Sequence, residues 1–167
     1  MNINLSNLSK QEQQELINAL AWNDGYGCYT RAGFEKLVWP EIADNARWII
    51  YLDVDDMRGL NAAHTHEGVN SLIKKSLAVR ASDYVAGQWF SGDEFIICIT
   101  EDQSRESSDP VALCARLKEA FLENGVPATF GIAPVISKTL LHNVEPVDQL
   151  VQAAKNENRR GQIYEVK

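Results

Sequence analysis

The stretch that leaves this chain least freedom is Trp89-Phe90-Ser91-Gly92-Asp93-Glu94-Phe95-Ile96-Ile97-Cys98-Ile99. Aromatic residues lead into small ones, two acids follow, and a β-branched apolar run leaves. Strand-forming runs on either side of a small-residue reversal spell a β-hairpin with carboxylates at its tip. Read alone, the tip is equally a solvated turn with surface acids. Adjacent acids repel one another unless a cation holds them, so a second acid cluster decides between the two.

That cluster lies upstream. Arg47-Trp48-Ile49-Ile50-Tyr51-Leu52 is apolar enough for a central strand buried on both faces, and it delivers Asp53-Val54-Asp55-Asp56 at its C-terminal end. Taken singly, Asp53 to Asp56 also suits a helix N-cap. Carboxylates converging from two strand ends favour Mg²⁺ or Mn²⁺, which take oxygen ligands and keep positions open for substrate phosphates. Two such ions can activate a hydroxyl and stabilise a leaving phosphate oxygen together.

Composition narrows the setting. A chain of 167 residues, 45% apolar, suits one domain with a substantial core. A formal charge of −7 argues against a protein that coats nucleic acid, though not against small phosphate ligands. Cys28, Cys98 and Cys114 lie far apart, without zinc-like spacing, and read as buried apolar residues of a reducing compartment. Met1 to Ser9 shows no secretory pattern, and no apolar run is long enough for a bilayer. A cytoplasmic protein without general nucleic-acid binding or membrane insertion is expected.

The capping box Ser9-Lys10-Gln11-Glu12 predicts a helix to about Trp22 with Leu16, Ile17, Leu20 and Ala21 packed, followed by a turn at Asn23–Gly27. A helix over Arg31–Val38 is followed by a segment that Pro40 constrains. Past the acids, periodicity predicts a helix from about Glu67 to Ala81, and strands at Tyr84–Phe90 and Glu94–Thr100. Glu101–Pro110 is a polar loop, and Val111–Glu123 is a helix ended by Asn124-Gly125. A strand over Ala128–Val135, a helix starting at Glu145-Pro146 and an edge strand at Gln162–Val166 complete the chain. Its organisation is an N-terminal helix over 1–22 and a single domain over 23–167.

At this point the residues resemble a known family. Asp53-Val54-Asp55-Asp56-Met57-Arg58-Gly59-Leu60-Asn61, with His66 beyond, is similar to the DxDxFKxxN…GH segment of GGDEF-domain nucleotide cyclases. Ser91-Gly92-Asp93-Glu94-Phe95 resembles the signature itself, with serine for the first glycine. Gly27-Cys28-Tyr29-Thr30-Arg31-Ala32-Gly33-Phe34 is similar to the family's TGLxNRxxF opening, and Ala154-Lys155-Asn156-Glu157-Asn158-Arg159 to its AKxxGR helix end. The resemblance implies an α/β (α+β), ferredoxin-like palm with a mainly antiparallel sheet flanked by helices. It implies a reaction in which the 3′-hydroxyl of one nucleoside triphosphate attacks the α-phosphate of another and pyrophosphate leaves, across a homodimer.

Carried over by position, Asp53, Asp93 and the Val54 carbonyl would hold Mg²⁺ or Mn²⁺, and Glu94 would complete the site or help deprotonate the hydroxyl. Amides around Asp56, Met57 and Arg58 would bind phosphates. Lys155 and Arg159, spaced for one helix face, would neutralise the triphosphate, although cations at a helix C-terminus also suit the dipole. Asn61 would read the base. Asn70 replaces the family's guanine-reading acid. A carboxamide offers an acceptor beside donors where a carboxylate only accepts, so adenine is admitted and both GTP and ATP are candidate substrates.

Other departures concern regulation. Arg80 and Asp83 resemble the product-inhibition motif, but two extra residues separate them from the signature and Gly87 stands where an arginine is common. They read as a helix-end pair. His64 and His66 read as loop-packing residues, and the four tryptophans as core or rim. With only one helix ahead of the catalytic segment, the organisation also resembles the minimal CRISPR polymerases of phage defence. The competing class is a retired cyclase that binds nucleotide without turnover.

Overall fold

The structure is a computed structural model and describes residues 5–79, 81–90, 92–101 and 109–167. The expectations for Arg80, for Ser91 and for most of the Glu101–Pro110 loop fall outside the described residues.

Ser9 starts α1 (Lys10–Ala21) through the expected capping box, its hydroxyl accepting from the Glu12 amide while Glu12 reaches back to the Ser9 amide. The helix packs less than its apolar stripe predicts. Only Ala21 is buried, while Ile17 and Leu20 are exposed. Its end is anchored by Thr30, whose amide donates to the Ala21 carbonyl, and by Gly33, where a Cβ would stand 2.4 Å from that carbonyl oxygen. The Asn23–Gly27 turn is the tip of a small hairpin of β1 (Trp22–Asn23) and β2 (Cys28–Tyr29), with Gly27 at φ +67°. The next helix runs beyond Val38: α2 (Arg31–Gly33) widens into a π turn over Phe34–Val38 and returns as α3 (Trp39–Ile42). Pro40 sits inside this helix rather than after it. Proline has no amide to donate, and a widened turn just before it accommodates the missing bond.

The core is a ββ-rich palm. The central strand β3 (Ala46–Val54) leads to α4 (Met57–Ala63) and α5 (His66–Leu77), then to the hairpin of β4 (Val85–Gln88) and β5 (Glu94–Thr100). The helix α6 (Pro110–Glu123), β6 (Ala128–Pro134), α7 (Leu140–Asn156) and β7 (Ile163–Glu165) follow. Strand order is β1-β2-β4-β5-β3-β6-β7. Within it, β3-α5-β4-β5-α6-β6 is a βαββαβ unit with the ferredoxin-like order. The pairs β1–β2, β4–β5, β5–β3 and β3–β6 are antiparallel, whereas β2–β4 and β6–β7 are parallel. An α/β palm with a mainly antiparallel sheet is therefore the fold.

Both sheet faces are covered, which is why β3 reads as an unbroken apolar run. Ile50, Leu52 and Val54 point to the face closed by α5 and α6, among Val69, Ile73, Leu117 and Phe121. Ile49 and Tyr51 point to the face closed by α7 and the α2–α3 segment, among Phe34, Trp39, Val144, Val147 and Val151. Each such side chain, fully withdrawn from water, stabilises the fold by about 1.5–3 kcal/mol. Two glycines set the approach of the covering layer: a Cβ on Gly131 would meet Val147 Cγ2 at 2.4 Å, and one on Gly87 would meet Phe34 Cβ at 2.7 Å. The second contact explains why no arginine fits at position 87.

The last helix starts earlier than Glu145. It begins at Leu140, and Pro146 lies inside it. Asn143, buried in its first turns, accepts from the Ile136 and Ser137 amides and donates to the Ser137 carbonyl, so the incoming loop supplies partners the sequence did not advertise. All three cysteines are free and buried, and burial pushes the Cys28 and Cys98 thiols up to about 12. Among the described residues, no helix is long and apolar enough to cross a membrane.

Candidate active site

The acids collect where β3 and β5 end together. Asp53 is the register partner of Glu94, and Val54 donates its amide to the Asp93 carbonyl at 2.8 Å. Side chains directly opposite in a ladder share a face, so Asp53 and Glu94 lie on the α7 side with Tyr51. Asp93 is in the turn just ahead of β5, near enough for its charge to push both the Asp53 and Glu94 carboxyls upward. Burial is the larger cause in each case. It carries Glu94 to about 7, with Asp53, Asp148 and Asp93 adding to the effect. Glu94 Oε2 is buried without a hydrogen-bond partner.

Asp53 is only 4% exposed and is held from α7. Gln152 Nε2 donates to Asp53 Oδ2 at 2.7 Å and lies 3.3 Å from the Tyr51 hydroxyl. Lys155 Nζ stands 2.8 Å from Asp53 Oδ1, as an ion pair without hydrogen-bond alignment at that oxygen. The same ammonium is 3.3 Å from Asp55 Oδ1 and donates to the Val54 carbonyl at 3.3 Å. Asp55 is itself buried and accepts from the Thr129 hydroxyl at 2.8 Å. The Lys155 and Gln152 contacts oppose the upward push that burial gives Asp53.

Asp56 has a separate task. It adopts the left-handed conformation, φ 50°, and caps α4 by accepting from the Gly59 amide at 3.2 Å. The helix-cap reading therefore holds for Asp56, while Asp53 and Asp55 point into the cluster. Met57 and Arg58 form the first turn of α4, Asn61 lies further along it, and Asn70 sits in α5 beside the turn at Gly25. His64 and His66 are exposed at the α4–α5 junction rather than packed in a loop.

Arg159 does not share a helix face with Lys155. The helix ends at Asn156, Asn158 turns to φ 59°, and the Arg159 amide bonds back to the Ala154 carbonyl in a Schellman-type stop. Beyond that reversal, helical spacing no longer applies. The Arg159 guanidinium pairs with Glu157 at 2.6 Å and lies over the Tyr164 ring.

Three contributors were not singled out from the sequence. Gln152 stands three residues before Lys155 on the same helix, and Tyr51 two residues before Asp53 on the same strand, so their periodicities could have found them. Tyr26 could not be found that way: its hydroxyl donates to the Gly92 carbonyl at 3.1 Å and its ring packs edge-on against Phe95, tying the N-terminal turn to the acid hairpin.

No family model and no curated protein matches this chain. Solved structures do. The diguanylate cyclase SiaD of Pseudomonas aeruginosa, in complex with its activator SiaC, aligns with a TM-score of 0.68 at 18% identity, over 97% of this chain and 70% of that one. A microbial GGDEF domain studied with cyclic di-GMP aligns with a TM-score of 0.68 at 17% identity, over 88% of this chain and 99% of its own. The active GGEEF domain of a Vibrio cholerae diguanylate cyclase gives 0.58 at 19% identity, over 74% and 85%. This chain has the GGDEF-domain fold.

In that GGDEF fold the predicted metal donors fall at one strand end. Asp53, the Val54 carbonyl, Asp93 and Glu94 are all hard oxygen donors of the kind Mg²⁺ and Mn²⁺ take. The orphaned Glu94 Oε2, facing Asp53 in register, fits a site built for a cation. Among the described residues, no three acidic, histidine or cysteine side chains stand close enough together to hold a metal ion as they are placed, so the carboxylates would have to draw in around one.

Proposed function

We propose that the chain is a metal-dependent nucleotidyl cyclase that condenses two purine nucleoside triphosphates into a cyclic dinucleotide and releases pyrophosphate. The observation that carries this reading is the in-register pairing of Asp53 with Glu94 at the sheet end, with Asp93 in the adjoining turn. Asp53, Asp93, Glu94 and the Val54 carbonyl would hold Mg²⁺ or Mn²⁺, which would polarise the α-phosphate and stabilise the leaving oxygen. Glu94 would either complete that metal site or help deprotonate the attacking hydroxyl. The start of α4 at Asp56, Met57 and Arg58, with Lys155 and Arg159, would meet the phosphates, and Asn61 and Asn70 the base. GTP and ATP are both proposed substrates. A phosphodiester between two bound nucleotides needs two half-sites, hence a homodimer. A minimal CRISPR-polymerase-type role in phage defence uses the same chemistry.

One observation favours a second reading, a retired domain that binds nucleotide without turnover: Lys155 already neutralises Asp53 and Asp55. Incubating purified protein with Mg²⁺ or Mn²⁺ and GTP, ATP or both, then resolving products by mass, separates them. The cyclase reading expects a cyclic dinucleotide and pyrophosphate, abolished in Asp53→Asn and Asp93→Ala. Nucleotide binding with no pyrophosphate from any combination supports the retired domain instead.

A further inference from the structure

Lys155 touches the oxygens that the cyclase reading assigns to a metal. Its side chain is only 10% exposed, and its ammonium contacts Asp53 Oδ1 at 2.8 Å, Asp55 Oδ1 at 3.3 Å and the Val54 carbonyl at 3.3 Å. Asp53 and the Val54 carbonyl belong to the proposed donor set. Two cations in contact with the same oxygens repel strongly where water is scarce, so ammonium and divalent ion exclude one another. We propose that Lys155 is the resident counter-ion of this site, and that a divalent ion binds by displacing it. The inference rests on the metal-site reading above.

The surroundings are arranged for such an exchange. Gln152 holds the other Asp53 oxygen at 2.7 Å, so that carboxylate stays oriented when the ammonium leaves. Asp55 keeps its bond from Thr129 at 2.8 Å and is not stranded. Lys155 lies one residue from the end of α7, beside exposed Asn156, and its four methylenes let the ammonium swing outward without shifting the helix. The displaced charge is then available to an anionic substrate. Lysine thus has two stations, on the acids before the metal arrives and on phosphate afterwards. Metal affinity in the absence of nucleotide is held down by this internal competitor.

The test is Mn²⁺ binding to the full, metal-free chain without nucleotide, followed by electron paramagnetic resonance. Lys155→Met, which keeps the stem and removes the charge, is expected to bind Mn²⁺ about tenfold more tightly or better, while Lys155→Arg stays near wild type. Should Lys155→Met fail to fold, lysine acetylation of the wild-type chain, read by mass spectrometry, decides. Lys155 is expected to label slowly without metal and several-fold faster at saturating Mn²⁺, with the 84% exposed Lys138 side chain as an unchanging reference. Equal Mn²⁺ affinities for wild type and folded Lys155→Met, or Lys155 labelling that ignores saturating Mn²⁺, overturns the inference and leaves the metal site standing. Absence of Mn²⁺ binding to both proteins, with and without nucleotide, overturns the metal site and this inference together.

Discussion

Asp53 and Glu94 are cross-strand partners at the last register position of the β3–β5 ladder, and both are pushed towards their protonated forms by burial. Glu94 reaches about 7 against an ordinary value of 4.5. The folded chain therefore holds a proton on Glu94 across that window while the unfolded chain has released it. Stability from protonated Glu94 is fully present below about 4.5 and is lost as pH rises through about 7. Glu94→Gln, which cannot ionise, is expected to melt with wild type near pH 4.5 and above it at pH 8, in metal-free buffer. A difference in melting temperature that stays constant between those pH values contradicts the assignment.

Gly131 is where α7 comes closest to the sheet. Gly131→Ala places a methyl 2.4 Å from Val147 Cγ2 and 2.8 Å from Val151 Cγ2, so the helix must move outward. Overpacking of this kind costs about 1–3 kcal/mol, and the thermal midpoint should fall accordingly. Val147→Ala in the same chain is expected to return part of the loss.

Tyr26 ties the first turn to the hairpin tip through the Gly92 carbonyl. Tyr26→Phe keeps the ring packing on Phe95 and removes one hydrogen bond, about 0.5–1.5 kcal/mol by denaturant titration. Because the acid turn loses its tether, nucleotide turnover in the product assay is expected to fall while circular dichroism stays unchanged. Turnover equal to wild type would leave Tyr26 a purely structural role.

Asn70→Asp tests base choice. A carboxylate that accepts both guanine donors adds a charge-assisted interaction of roughly 1.5–3 kcal/mol, about ten- to a hundredfold in preference. Wild type is expected to use both GTP and ATP, and the variant to shift towards GTP by that factor. Strict GTP use by wild type would remove the adenine proposal.

Much of this was legible from periodicity, and the failures have physical causes. β3 announced itself because both of its faces are buried, and β5 because β-branched residues fill it. The acid hairpin was legible from Gly92 and the runs around it. Arg159 was misplaced because i,i+4 reasoning assumes the helix continues, and the left-handed Asn158 ends it first. The α7 start was missed because Pro146 is a strong start signal, whereas the true beginning depends on loop amides bonded to Asn143. Ile17 and Leu20 show the limit of amphipathicity: an apolar stripe states a preference for burial without naming a neighbour to provide it. The Lys155 contacts were beyond reach, since no spacing rule relates residue 155 to residue 53.

The sheet closes on its outer sides with very little strand: two residues in β1 and three in β7. Its most amyloid-like segment, Phe95 to Thr100, runs along the middle strand of the seven. Short borders offer a stray chain few unpaired amides to template on, and the sticky segment is shielded by three strands on either side. Fibril growth from the native state would have to strip those layers first, so heat or denaturant, rather than concentration alone, should govern whether this protein aggregates.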